Sequence, residues 1–244
     1  MIFFVTGGSR GIGAAIVLEA IGLGHDVAFT YWNHAELADR VVARAREIGP
    51  GRRCHAYRLD VRDSAAVEAV GDQALDEFGT VDTVVANAGV NVPGLAVTLS
   101  DEAWHTVLDT NLSGAFYVCR QFLPAFLANG RGRIILVSSV GHGGVTGQVS
   151  YAASKAGLLG LSGSLAREYG RRGLTSNVVV PGFIETDMTS DATELREFWT
   201  RFCPAGRVGT PGDVASVVMF LASDAASFVN GQVIPVTAGL DWAP

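Results

Sequence analysis

Along the chain, short unbroken apolar runs alternate with longer stretches whose apolar residues recur at helical spacing. The runs are Ile2 to Thr6, Asp26 to Tyr31, Cys54 to Leu59, Val81 to Ala86, Arg133 to Val137, Ser176 to Val180 and Gln232 to Val236. Each is the length of a strand, and continuous rather than alternating apolarity is the mark of a strand covered on both faces. Between them, Ala14 to Gly24, Ser64 to Phe78, Asp101 to Leu127, Tyr151 to Tyr169 and Asp213 to Ser223 read as helices, and the stretch after Pro181-Gly182 reads as a polar segment. Seven apolar strands separated by helices predict an α/β fold: a doubly wound, mainly parallel seven-stranded sheet with helices on both faces. In such a sheet the loops after the strands' C-terminal ends form one crevice. The glycine turn after the first strand, Asp60-Val61, Asn87-Ala88-Gly89, Ser138-Ser139 and Pro181-Gly182 all follow strands, so one rim is expected to collect them.

The first of these loops is Gly7-Gly8-Ser9-Arg10-Gly11-Ile12-Gly13, leading into a helix. Glycines there let backbone come close to a pyrophosphate, whose charge is held by N–H groups at the helix N-terminus. A second strand arrives at the spacing of a βαβ nucleotide-binding unit. At the end of that strand an NAD-selective fold places a carboxylate for the ribose 2′-hydroxyl. Here Thr30-Tyr31-Trp32-Asn33 holds none, the first acid is Glu36, and Arg10 supplies a cation inside the turn. That combination favours NADPH over NADH.

Tyr151 and Lys155 lie four residues apart in a helical run, which sets them one turn apart on the same face. A phenol with a pKa of about 10 is protonated at neutral pH, and a close ammonium lowers that value. The pair is therefore a candidate acid/base unit.

Composition narrows the picture only a little. The 244 residues, 48% hydrophobic and 17% charged, are enough for a sizeable core, and the 30 glycines are scattered without a repeat. No composition shift marks an internal boundary, so residues 1–244 are expected to form one domain. A net charge of −6 argues against nucleic acid or an anionic membrane as partner. Cys54, Cys119 and Cys203 are odd in number and far apart, which fits a reduced, cytoplasmic setting, and no His or Cys spacing implies a metal. The apolar start, Met1 to Thr6, is too short for a signal peptide or a span.

Taken together and in this order, Thr6 to Gly13, Asn87-Ala88-Gly89, Asn111, Ser139, Tyr151 to Lys155 and Pro181-Gly182 resemble the short-chain dehydrogenase/reductase family over essentially the whole chain. Within it the chain is most similar to the 3-oxoacyl-[acyl-carrier-protein] reductases, through Ala152 to Gly157, Ser164 to Glu168, Pro181 to Met188 and Gly231-Gln232. The resemblance implies a single-domain Rossmann fold. It also implies that Tyr151 donates a proton to a carbonyl oxygen, that Lys155 lowers its pKa and holds the nicotinamide ribose, and that a serine hydroxyl orients the same oxygen. By the same resemblance Asn111 holds a water linking Lys155 to solvent, Asp60 and Val61 contact the adenine, and Asn87, Ala88 and Gly89 line the cofactor. Gly7, Ser9, Arg10, Gly11, Ile12 and Gly13 form its phosphate turn, and Pro181, Gly182, Ile184 and Thr186 border its carboxamide and pyrophosphate.

The serine has two candidates. Thirteen positions back from Tyr151, the commonest family separation, stands Ser138, whereas anchoring on Arg133 to Val137 and the following Val140 selects Ser139. Side chains alternate faces in extended chain, so only one of them faces the substrate. Strands change length less easily than loops, so Ser139 is taken, with a Gly141 to Val149 loop one residue shorter than usual. Two further departures from the family are Thr237-Ala238-Gly239, where many relatives carry Asn-Gly-Gly, and the tail Leu240 to Pro244.

What this implies is an NADPH-dependent reduction of a ketone to a secondary alcohol, with a 3-oxoacyl group on acyl carrier protein, in fatty-acid synthesis, as the leading substrate. Alternatives are a polyketide ketoreductase, a reductase of a free ketone, sugar, steroid or quinone, and an idle dinucleotide-binding sensor. Arg131, Arg133, Arg171 and Arg172 are candidates for a basic rim facing an acidic carrier protein. Small residues along the Tyr151 helix, among them Ala156, Gly157, Leu158 and Gly160, suit packing against another subunit, and the family implies a homotetramer.

Overall fold

The computed structural model describes residues 1–187, 189 and 193–240. Met188 and the tail residues 241–244, on which two of the sequence comparisons fall, lie outside the described residues. Seven strands, β1 (Ile2–Val5), β2 (Asp26–Tyr31), β3 (Cys54–Arg58), β4 (Thr83–Ala86), β5 (Gly132–Val137), β6 (Leu174–Pro181) and β7 (Val233–Val236), form one sheet in the order β3-β2-β1-β4-β5-β6-β7. Every neighbouring pair is parallel.

Every residue of β4, β5 and β6 is buried, which is why those runs are apolar without alternation. The outermost strands differ: β7 alternates between exposed and half-buried positions, as a sheet edge does. Helices α1 (Gly11–Gly22), α2 (Ala35–Ile48) and α8 (Pro211–Ala222) cover one face with a core that includes Phe3, Ile16, Ile21, Val41, Val218 and Leu221. On the other face α3 (Ser64–Phe78), α5 (Gly114–Asn129) and α6 (Val149–Tyr169) bury Phe4, Val67, Phe78, Phe122 and Leu158. The remaining helices are α4 (Asp101–Leu108) and α7 (Thr193–Phe202).

Three features go beyond the sequence reading. Helix α2 follows β2 without a distinct start signal; His34 precedes it in a left-handed conformation, φ 64°, and makes no side-chain cap. Helix α7 occupies what reads as a polar segment, because Leu195, Phe198, Trp199 and Phe202 repeat at helical spacing among charged residues; Trp199 is buried and stacks on Phe183 with ring centroids 6.2 Å apart. The helices expected around Asp101 to Leu127 are α4 and α5, and what joins them is a π-helical turn, Asp109–Ser113.

The small residues on α6 are partly spent inside the chain. A Cβ on Gly157 would stand 2.7 Å from Leu112 in the π turn, and Leu158 is in the core, leaving Ala156 and Gly160 toward the outside. Arg133 is likewise no part of a basic rim. It is buried at the N-terminal end of β5, with Nη1 donating to the Gly132 and Gly173 carbonyls at 3.1 and 3.3 Å and Nη2 3.7 Å from Asp224. Arg131 also pairs with Asp224, at 2.7 Å. Residues 131, 133, 171 and 172 all stand at the ends of β5 and β6 opposite the glycine turn.

Candidate active site

The chain leaves β1 toward β2 on one side and places β4 on the other, so the sheet order reverses between β1 and β4. At a reversal the loops leaving the two strands diverge and open a crevice. Here it is a cleft of about 460 Å³, lined by the glycine turn, the segment after β2, Asp60 and Val61, Asn87 to Gly89, Tyr151 with Lys155, and Thr186.

Its floor is built for a close backbone approach. Gly7 and Gly11 sit at φ 66° and 54°, in the left-handed region that favours glycine. A Cβ on Gly13 would run into the Gly7 carbonyl and stand 2.7 Å from Asn87 Nδ2. Thr6, at the tip of β1, uses its Oγ1 to accept from the N–H groups of Asn87 and Ala88, both at 3.0 Å, and Asn87 Nδ2 donates back to the Thr6 and Gly7 carbonyls at 2.9 and 3.2 Å. Those bonds staple the β1 and β4 loops together. Thr6 was legible as part of the motif, but not its task. The turn fits a dinucleotide's phosphates: it is a cradle that a single methyl group would fill, at the N-terminus of α1.

At the next loop the Arg62 guanidinium forks onto Asp60, with contacts of 2.6, 2.9 and 3.1 Å, and holds that carboxyl below its ordinary range. Arg62 follows Asp60-Val61 directly and is a site residue the sequence reading passed over. Arg10 is exposed at the N-cap of α1 and forms no ion pair among the described residues.

Toward the other end, Tyr151 and Lys155 share the inner face of α6. Ser139 is beside the phenol: its Oγ accepts from the Gly141 N–H at 3.1 Å, and its hydroxyl acts on the Tyr151 phenol. Ser138 points elsewhere, donating to the Lys155 carbonyl at 2.9 Å and locking β5 to α6. Burial raises the Tyr151 pKa, and the Ser139 hydrogen bond only partly opposes it. Lys155 is not among the causes of that shift. The ammonium lies 5.8 Å from the phenol ring centroid and donates to the Val137 carbonyl at 2.8 Å, and its own pKa is pushed down to about 8 by burial. That carbonyl hydrogen bond favours the charged form, against the burial.

Asn111 is 1% exposed, behind the cleft wall in the π turn. Its Oδ1 accepts from the Val90 N–H at 2.8 Å, and Nδ2 donates to the Val90 carbonyl and to Ser154 Oγ, both at 3.0 Å. With its amide engaged at both ends, any water it holds falls to the main chain, where the π turn departs from the α-helical hydrogen-bond ladder. Gly89 separates Asn111 from the cleft: a Cβ there would stand 3.2 Å from Asn111 Oδ1 and 3.3 Å from Lys155 Nζ.

Not every candidate meets in the cleft. Gly182 and Ile184 line a neighbouring cavity of about 230 Å³ with Trp199, Cys203 and Thr237, and Pro181 ends β6 between the two. Thr186 does reach the cleft, and its Cγ2 would lie 3.4 Å from a Cβ on Gly11, so the segment after β6 covers the glycine turn. His142, in the loop after Ser139, is half-buried, with Nδ1 2.8 Å from the Ser139 carbonyl. Among the described residues no group of three His, Cys, Asp or Glu side chains is gathered for a metal, and no helix is long and apolar enough to cross a membrane.

A parallel sheet reversing over a glycine cradle, with a phenol, a hydroxyl and an amine at its mouth, defines a dinucleotide-dependent oxidoreductase. The chain belongs to the short-chain dehydrogenase/reductase family, and residues 7–241 match the family model described as Enoyl-(Acyl carrier protein) reductase. It is 40% identical over 238 residues to the 3-oxoacyl-[acyl-carrier-protein] reductase MabA of Mycobacterium tuberculosis, covering 97% of this chain and 91% of that one. The FabG enzyme of the same name from Staphylococcus aureus is also 40% identical, over 97% of this chain and 96% of its own. The FabG of Chlamydia muridarum is 38% identical over 97% and 95%. The crystal structure of levodione reductase superposes with a TM-score of 0.94 at 30% identity, covering 98% of this chain and 97% of that one.

Proposed function

We propose that this chain is an NADPH-dependent 3-oxoacyl-[acyl-carrier-protein] reductase, converting the C3 ketone of a carrier-bound acyl thioester to a secondary alcohol in fatty-acid synthesis. The observation that carries the reading is the Ser139 hydroxyl acting on the Tyr151 phenol, with Lys155 Nζ 5.8 Å from the phenol ring centroid. Two O–H groups converging at one point suit a single carbonyl oxygen, one holding it and one giving it a proton. That arrangement fits reduction of a C=O bond, as in the 3-oxoacyl relatives, better than the C=C reduction named by the family model.

When bound, the dinucleotide supplies the hydride. The chain's own residues do the rest. Gly7 to Gly13 offer N–H groups to the pyrophosphate, and Asp60, held by Arg62, faces the adenine with Val61. Asn87, Ala88 and Gly89 form the wall beside the reacting end, and Thr186, on the segment that Pro181, Gly182 and Ile184 lead into, lies over the glycine turn. Lys155 Nζ, next to Tyr151, is placed to hold the nicotinamide ribose. Tyr151 transfers its proton to the substrate oxygen, and its raised pKa keeps that proton in place until charge develops there. Asn111, packed on Gly89 and Ser154, positions the wall and the chain that resupplies the proton.

Preference for NADPH is supported by Arg10 without a carboxylate partner and by the lack of an acid at the end of β2. A reduced cytoplasmic setting is supported by three unpaired cysteines. A homotetramer is supported by the exposed Phe116 on α5 and by Phe220, Phe228 and Val233 around the β7 edge, and sedimentation would read it. A free ketone is the second reading, because the same frame serves a reductase of levodione.

The test is the oxidation of NADPH, with NADH beside it, on acetoacetyl thioesters of acyl carrier protein and of coenzyme A and on a cyclic diketone. Faster turnover of the carrier-bound thioester, cut by about 10²- to 10⁴-fold in Tyr151→Phe, is expected. Turnover of the diketone alone would move the substrate to the second reading.

A further inference from the structure

The position just after β2 decides how a dinucleotide's adenosine ribose is read, by a carboxylate for the 2′-hydroxyl or a cation for a 2′-phosphate. In this chain it is Trp32, which supplies neither. The ring is 46% exposed and lines the cleft beside Asn33, His34 and Arg10. A guanidinium nevertheless stands there. The strand register pairs Tyr31 with Arg58, so the last residue of β3 comes level with the end of β2. Arg58 Cζ lies 4.9 Å from the Trp32 ring centroid, and Nε donates to the Trp32 carbonyl at 3.4 Å. The indole face and the carbonyl together fix the planar group against the segment that would carry the missing cation.

We propose that Arg58, laid on Trp32, is a second cation for the 2′-phosphate of NADPH, acting with Arg10. The inference rests on the NADPH reading above and extends it to a residue from the neighbouring strand. Arg10 and Arg62 line this end of the cleft and Arg58 is laid on Trp32, which lines it too; the states of the three differ. Arg62 is consumed by its fork onto Asp60. Arg10 and Arg58 make no ion pair among the described residues. Among the described residues only Nε of the Arg58 nitrogens is engaged, which leaves both terminal nitrogens to meet a phosphate side by side, a bidentate geometry that suits an oxyanion. Glu36, the first acid after β2, is held at 3.1 Å by His34 Nδ1. Without Trp32 a long side chain at a sheet edge would sweep through solvent; on the ring it is already ordered before the cofactor arrives.

The test compares KM for NADPH and NADH in wild type, Arg58→Met and Trp32→Leu, with one ketone substrate. Methionine keeps an unbranched stem and loses the charge. Arg58→Met is expected to raise the NADPH KM about tenfold or more while leaving the NADH KM and both kcat values within twofold, and Trp32→Leu to shift NADPH in the same direction by less. The unchanged NADH constants report that the variants are folded. Titration calorimetry with adenosine 2′,5′-bisphosphate against adenosine 5′-monophosphate should show the 2′-phosphate losing its advantage in Arg58→Met. A wild type selective for NADPH whose selectivity survives Arg58→Met overturns this proposal alone. A wild type that uses NADH as readily overturns the NADPH reading and this proposal with it.

Discussion

At the adenosine end of the cleft the wall is main chain: glycines at positive φ, a threonine at a strand tip, and an asparagine that returns its hydrogen bonds to the same turn. At the opposite end, beyond Tyr151, the wall is side chain and loop: the segment 140–148, Phe183, and helix α7 with Leu195 and Phe202 facing outward. The first region closes on itself through several short bonds between β1 and β4. The second is held by Trp199 against Phe183, by Cys203 Sγ near the Thr237 and Ala238 carbonyls at 3.8 and 3.6 Å, by main-chain bonds that join Phe183 and Glu185 to Gly209, and by the Arg196–Glu185 ion pair at 3.0 Å. The difference separates two demands. A cofactor of constant shape is met by backbone, whose position side-chain substitutions hardly move, whereas acyl groups of differing size are met by surfaces that change without disturbing the sheet.

Gly13→Val tests the first region hardest. With no room even for a methyl beside the Gly7 carbonyl, the variant is expected to lose measurable NADPH binding by fluorescence titration or to fail to fold; binding within threefold of wild type would show that the turn yields.

Next in size is the serine pair. Ser139→Ala should lower kcat by about 10²-fold with cofactor binding unchanged. Ser138→Ala should keep its activity within a few-fold and lose about 1 kcal/mol of stability in urea, since its bond to Lys155 ties strand to helix. Exchanged results would invert the two roles.

Lys155 gives a pH test at the junction of the regions. Its folded pKa, about 8, lies below the unfolded value of 10.5, so the unfolded chain binds the extra proton between those values and stability from this group rises with pH across that window. Below pH 8 the burial cost is present in full. In the absence of cofactor, Lys155→Met should therefore melt above wild type at pH 7, with the gap narrowing by pH 9.5. A constant gap would place the titration elsewhere. The smallest effect belongs to the second region: Ala238 holds φ 52°, a conformation glycine adopts without strain, so Ala238→Gly should raise Tm by at most about 3 °C.

The frame was legible because parallel strands buried on both faces read as unbroken apolar runs, and because the glycine turn and the Tyr151–Lys155 spacing are local patterns. What stayed hidden depended on partners distant in sequence. Nothing near Arg133 announces that Asp224 and two carbonyls bury it, and nothing near Arg62 announces its fork onto Asp60, although a cation two residues from an acid is a signal that could have been followed. The Ser138 and Ser139 ambiguity is of a different kind: strand alternation permits one of them to face the site, and only the twist of the loop into Gly141 selects which. The π turn stayed hidden because a single turn of i→i+5 bonding shifts the helical register by about one residue, too little to interrupt the apolar pattern on either side.

The order β3-β2-β1-β4-β5-β6-β7 carries a consequence for how the molecule comes into being. The first strand made ends up inside the sheet, and each later one joins an edge that is free when it emerges, first on one side and then on the other. No strand has to be threaded between two already paired. During synthesis the sheet thus grows outward from β1, and among the described residues β7 has no outer neighbour.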